Sequence, residues 1–232
     1  NLYTHKSINV ILAKDLIPKV FKGNFVEIEN EDDLRFDSIK NIPYLVCEDF
    51  TGDELVGINY YQLWENAPKP EINPENAFRV ISGDFVTTED GTGVVHTAPT
   101  FGADDAIAAK NAVPEVPPML IYNENKELVP LVDFQGKFID SLDEIGGKYV
   151  KNEYYSNEDV PEKSVDVEIA IKLKEQNKAF RVEKYTHSYP NCWRTDKPIL
   201  YYPLNSWFVK VTEKRESLIN NNSKINWKPR AT

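Results

Sequence analysis

The chain has 232 residues, 41% of them hydrophobic and 12% aromatic, enough to bury a core and to read as one large domain over 1–232. Its longest apolar runs are only a few residues, far below the roughly 20 that cross a bilayer, and no charged-then-apolar leader opens it, so no membrane is expected and the cytoplasm is. A net charge of −10 argues against broad nucleic-acid affinity, which rests on Lys and Arg displacing counterions from phosphates.

In chain order, "NLYTHKSINVILAKDL" opens almost at once on a strand-like run, as though cut from a longer protein. Cys47 and the distant Cys192 are the two cysteines and neither has a CxxC partner, which predicts neither a disulfide framework nor a zinc ribbon. The Pro- and Asn-rich stretch 64–78 predicts a surface connection. Short β-rich runs follow at 77–81, 84–88, 93–97, 119–122 and 199–204, separated by turn residues. Between them "DDAIAAKNAV" predicts a helix. A second helix is predicted over 164–180, where Val165, Ile169 and Leu173 recur at i, i+4 and i+8. There is no internal repeat or low-complexity tract. The pattern predicts an α+β fold, a β-barrel or curled sheet with peripheral helices. The last fifth differs in charge: residues 181–232 hold ten Lys and Arg against four Asp and Glu, +6, leaving 17 against 33, −16, for residues 1–180. A basic C-terminal part of this kind is either a site for phosphates or a solvated charge cluster. "INWKPRAT" then stops like a second cut edge.

The segment "GTGVVHTAPTFGADD", Gly91 to Asp105, concentrates the chemistry. Gly91 and Gly93 predict a tight turn with positive φ that feeds the run Val94, Val95, His96. The chain bends at Pro99 and enters a helix, with Asp104 and Asp105 expected at its N-cap and first turn, where free N–H groups and the helix dipole favour carboxylates. One carboxylate suffices for that duty. A second, held at a strand-to-helix junction, suits a ligand ammonium. His96, alone on an apolar run, is either a satisfied core residue or part of a site, and its pairing with the aspartates favours the site. No GK[ST] follows the glycines and no serine lies in a GxSxG elbow, which removes phosphate-loop and serine-hydrolase readings. His187 and Cys192 supply only two ligands, so no metal is expected.

"GTGVVHTAPTFGADD" together with "KYTHSYPNCWRTDKPILYYPLNSWFVKV" at 184–211 closely resembles the inserted editing domain, connective polypeptide 1, of isoleucyl-tRNA synthetases, and the likeness extends through "RVISGDFVTTEDGTG", "PLVDFQGKF" and "IKLKEQNKAF". Valyl enzymes typically carry a lysine, and leucyl enzymes a methionine, where this chain has His96. The resemblance implies a barrel-centred domain that hydrolyses mischarged Val-tRNA(Ile), with valyl-adenylate as a second candidate substrate. It implies that Asp105 holds the α-ammonium of the mischarged amino acid and that His96 lies near the terminal ribose and the small side chain. It further implies that Gly91 and Gly93 let backbone approach the terminal adenosine and that Trp207 lies near the return path to the synthetic domain. The implied partners are the tRNA(Ile) acceptor end, the valine moiety and the rest of the synthetase in cis. Editing needs no cofactor; ATP and Mg belong to the synthetic domain, whose HIGH and KMSKS motifs are not in this chain. Two departures stand out. The family's threonine-rich strand, with a sequence like TTPWTLPSN, precedes the position of Asn1, and Thr195 stands where some bacterial members carry a second cysteine after "CWR". Two other readings stay open: an editing domain of valyl specificity, and a noncatalytic module for a tRNA acceptor or a protein. A pocket between Asp105 and His96 would favour hydrolysis; burial of both in a dry core would favour the module.

Overall fold

Helix and strand alternate along the chain in short pieces. The computed structural model describes residues 7–33, 41–89 and 91–228; both edges read as cuts fall partly outside them, as does Asp90 of the expected turn. The first of two compact units covers 1–202 and the second 203–232.

In the first unit, helix α1 (Ile17–Val20) carries Pro18 in its first turn, where a missing N–H costs nothing. Arg181 Nη1 donates to the carbonyls of Lys19 and Val20 at its end. Strands β1 (Phe25–Glu27) and β2 (Ile42–Tyr44) pair in parallel, Phe25 opposite Ile42. Phe21 stacks on Tyr44 at 4.5 Å and meets Phe180 edge-on at 6.1 Å, so aromatic contacts tie this small sheet to a distant part of the chain. Helix α2 (Gly52–Leu55) opens on a capping box in which the Thr51 N–H donates to Glu54 Oε2 at 2.6 Å. That N–H holds the Glu54 carboxyl below the usual carboxylate range.

Helix α3 (Ala103–Asn111) follows the glycine-rich segment. Strands β3 (Leu120–Tyr122) and β4 (Leu128–Pro130) form an antiparallel hairpin. In its turn Asn123 Oδ1 accepts from the Asn125 and Glu127 N–H groups while Lys126 takes φ +62°. Helix α4 (Val165–Glu175) presents Val165 and Ile169 to Leu142 and Ile145, and with Trp64, Ala67, Leu131, Phe138 and Ile139 these form the core. The helix stops short of the expected 180 because Asn177 turns left-handed at φ +57° and the Lys178 N–H closes back on the Leu173 carbonyl at 2.8 Å.

The α+β class stands, but the described residues close no barrel: the named strands form two separate two-stranded sheets. Run 77–81 pairs with residues 57–60, Val80 donating to Ile58 and Tyr60 to Phe78, yet Phe78 at φ +54° breaks the extended geometry and leaves one bridge, Asn59 to Arg79. At 199–204, Pro198 and Pro203 have no N–H to give a ladder, and pairing there is limited to the bridge from Asn191 to Pro198. In the second unit a turn at Val211–Lys214 leads into helix α5 (Arg215–Asn222), and every described residue of 203–228 is exposed. No helix among the described residues is long and apolar enough to cross a membrane.

Candidate functional site

The glycine-rich segment is clipped to the start of the chain before it reaches α3. The Ala13 N–H donates to the Thr92 carbonyl at 2.6 Å, and Lys19 Nζ donates to the Glu89 carbonyl. Gly91 and Gly93 take φ +72° and +77°, as the turn chemistry predicts. Gly93 also lies so close to the opening segment that a Cβ there would meet the Ala13 Cβ at 2.6 Å, whereas the same side of Gly91 is open. Thr92 Oγ1 accepts from the Val94 N–H and donates to the Val94 carbonyl. From Val94 to Ala98 the chain forms no named strand, and Val94, Val95 and His96 are all exposed. The histidine is therefore not a core residue.

After His96 the backbone turns at Pro99, and the Phe101 and Gly102 N–H groups both donate to the Ala98 carbonyl at 3.0 and 3.1 Å. Thr100, the one buried polar residue among those described, accepts from the Met119 N–H at 2.7 Å and ties this turn to β3. The N-cap of α3 is Gly102, one residue pair earlier than the aspartates suggest, because the turn closed by Ala98 already sets the helix start; Asp104 and Asp105 both sit in the first turn. The two carboxylates then part. Asp104 is exposed. Asp105 is half-buried and folds back, its Oδ2 accepting from the Ala98 N–H at 2.9 Å. Oδ1 has no partner among the described residues. His96 precedes by two residues the Ala98 whose N–H holds Asp105. Nearness in sequence through Ala98 is what links Asp105 to His96; among the described residues no hydrogen bond joins their side chains.

The cavities lie elsewhere. One of about 370 Å³ is bounded by Trp64, Asp143, Lys172 and Lys178, and one of about 260 Å³ by Ile72, Asn73, Pro117 and Leu120. Asp105 and His96 line neither, and they share no dry core. Trp207 belongs to the 203–232 unit and is fully exposed. Cys192 sits in a turn where its N–H donates to the Lys197 carbonyl, and its thiol is pulled below the ordinary range by the Thr195 hydroxyl, then by the Arg194 and Thr195 N–H groups. Among the described residues no group of three or more His, Cys, Asp or Glu is assembled for a metal.

No family model matches the chain. Single proteins do. The whole chain aligns at 48% identity with an isoleucine–tRNA ligase of Cytophaga hutchinsonii and at 46% with one of Bacteroides fragilis, covering 21% of each. A Clostridium novyi isoleucine–tRNA ligase aligns at 40% over 95% of this chain and 17% of its own length. The chain matches a domain of isoleucyl-tRNA synthetase. It spans about a fifth of the length of the curated relatives it matches. Two contributors to the candidate site escape a reading by side-chain chemistry. Ala98 acts through its N–H, which any residue but proline offers, and Thr100 acts as a buried brace. Only the short spacing between Pro99 and Gly102, which forces a turn, hints at either.

Proposed function

We propose that this chain is the hydrolytic editing domain of its synthetase and that it cleaves valine from mischarged Val-tRNA(Ile). The observation that carries the reading is the Asp105 carboxylate, pinned through one oxygen to the Ala98 N–H and without a partner at the other among the described residues. A half-buried carboxylate in fixed orientation is what an α-ammonium requires. The names of the relatives, isoleucine–tRNA ligase, supply the context. The need is energetic: one missing methylene gives only about 1–3 kcal/mol of discrimination, a general limit for which isoleucine against valine is itself the usual illustration and which this structure does not measure.

In this reading the ammonium binds Asp105, and His96 bounds the ribose and the small side chain. Water adds to the ester carbonyl, the bond to the ribose oxygen breaks, and valine and the free 3′-terminal hydroxyl leave. With Asp105 taken up by the ammonium and His96 by the ribose, fixed geometry and the substrate's own vicinal hydroxyl activate the water. Gly91 and Gly93 approach the terminal adenosine, the basic C-terminal part meets the acceptor end, and Trp207 lies on the return path to the synthetic domain. That domain uses ATP and Mg; editing uses no cofactor. Valyl-adenylate is a second substrate of the same site, the domain is barrel-centred in the complete enzyme, and the enzyme works in the cytoplasm.

The test replaces each aspartate in the full-length ligase. Asp105→Ala lowers Val-tRNA(Ile) deacylation by a factor on the order of 100, while Asp104→Ala, exposed in the first turn, costs only about 1 kcal/mol or less of helix stability. Full deacylation by the folded Asp105→Ala enzyme would refute the reading.

A further inference from the structure

We infer that Gly102 is a positioning residue for the editing carboxylate: its missing side chain makes the space in which Asp105 folds back onto Ala98. The inference rests on the editing role assigned to Asp105. Gly102 is not needed for backbone freedom, because its φ of −121° and ψ of 131° are ordinary extended values that any residue adopts. Nor does it cap the helix with a side chain, and at an N-cap Ser, Asp or Asn would serve better than glycine. What singles it out is contact. A Cβ on residue 102 would lie 2.5 Å from Asp105 Oδ2, 2.8 Å from its Cγ and 3.0 Å from its Cβ.

The three nearest atoms to that Cβ all belong to Asp105. The Asp105 carboxylate lies between the N-cap and the Ala98 N–H, which it meets at 2.9 Å. To reach ordinary contact at 3.4 Å from a new Cβ, Oδ2 must retreat from 2.5 Å, about 0.9 Å. Rotation about the Asp105 side-chain bonds achieves this, at the expense of the Ala98 hydrogen bond. The Asp105 Cβ, 3.0 Å from the new atom, does not move with that rotation and requires a further shift of a few tenths of an ångström in the first turn of α3; the carboxylate loses its fixed orientation. A misplacement of about 1 Å at a reacting centre lowers rates on the order of 100-fold. Glycine at this N-cap therefore trades helix capping for the placement of a ligand-binding group.

Serine separates the two roles. Gly102→Ser adds the obstructing Cβ and also a hydroxyl that caps α3, whereas Gly102→Ala adds the Cβ alone. The experiment measures kcat/KM for Val-tRNA(Ile) deacylation and thermal unfolding in the full-length ligase for Gly102→Ala, Gly102→Ser, Asp105→Ala and the double variant Gly102→Ala/Asp105→Ala. The expected result is a loss of about 10- to 100-fold in deacylation for both Gly102 variants, with Gly102→Ser unfolding no lower than the parent. The double variant should be no slower than Asp105→Ala alone, since two residues acting through one group are not additive. Full activity in Gly102→Ser, defects that multiply in the double variant, or activity that falls only in step with unfolding temperature would each overturn the positioning role while leaving Asp105 in place. Normal deacylation by Asp105→Ala would instead remove the editing reading, and the positioning role with it.

Discussion

Replacing Asp105 by asparagine separates its two jobs. Asparagine keeps an oxygen that can accept from the Ala98 N–H, now 2.9 Å from Oδ2, but removes the negative charge. On the structural side, a hydrogen bond to a charged group contributes about 1.5–3 kcal/mol and a neutral one about 0.5–1.5, and the lost dipole interaction in the first turn of α3 adds about 0.3–1 kcal/mol. The net loss of about 1–2 kcal/mol lowers the unfolding temperature without unfolding the domain. On the binding side, an ammonium 4 Å from a carboxylate gains about 1 kcal/mol in water and about 4 at the effective dielectric near a protein surface. Asp105 is half-buried, so an intermediate 2–3 kcal/mol applies, roughly a 30- to 160-fold fall in kcat/KM. Single-turnover deacylation of Val-tRNA(Ile) by the full-length ligase, alongside thermal unfolding, reads both quantities. An Asp105→Asn enzyme that deacylates at the parent rate would refute the argument, because the oxygen would then suffice without its charge.

Three other outcomes follow from the same geometry. His96→Ala, at an exposed position and therefore with little effect on stability, should enlarge the site and admit Ile-tRNA(Ile); unchanged hydrolysis of both Val- and Ile-tRNA(Ile) would remove His96 from the site. Leu142→Ala, in the core with Ile145 and Val165, should cost about 2–4 kcal/mol of stability by urea unfolding, and a loss under 1 kcal/mol would show that this cluster is not the centre of the fold. The Cys192 thiol, lowered by the Thr195 hydroxyl, should hold more thiolate at neutral pH and alkylate with a rate midpoint below that of an ordinary thiol; Thr195→Val should move that midpoint upward, and an unmoved midpoint would discount the hydroxyl.

The helices were the most legible part of the chain. Ser164 before an apolar period marks the start of α4, and Val165 and Ile169 do face the core. Its end was not legible, because the left-handed turn at Asn177 competes with a helix pattern that continues through Lys178 and Ala179. The β-rich runs misled in a different way. Alternation of apolar residues predicts extended backbone, but 93–97 forms no strand and opens on Gly93 at positive φ, at 84–88 the Val86 N–H closes a turn onto the Gly83 carbonyl, and positive φ at Phe78 and prolines at 198 and 203 limit ladders that the apolar pattern promises. At the candidate site, residue types pointed to an aspartate pair and His96, turn chemistry to Gly91 and Gly93, and the family resemblance to Asp105 within the pair. What the sequence does not carry is direction: Asp105 accepts from the Ala98 N–H and Asp104 is exposed.

The most direct measurement is a crystal structure of the full-length ligase with a nonhydrolysable valyl-adenosine analogue. The account predicts the valine ammonium about 2.7–2.9 Å from an Asp105 oxygen, with Asp105 still held by Ala98 and His96 against the ribose. An analogue seated away from Asp105, for instance in the cavity bounded by Trp64 and Lys172, would contradict it.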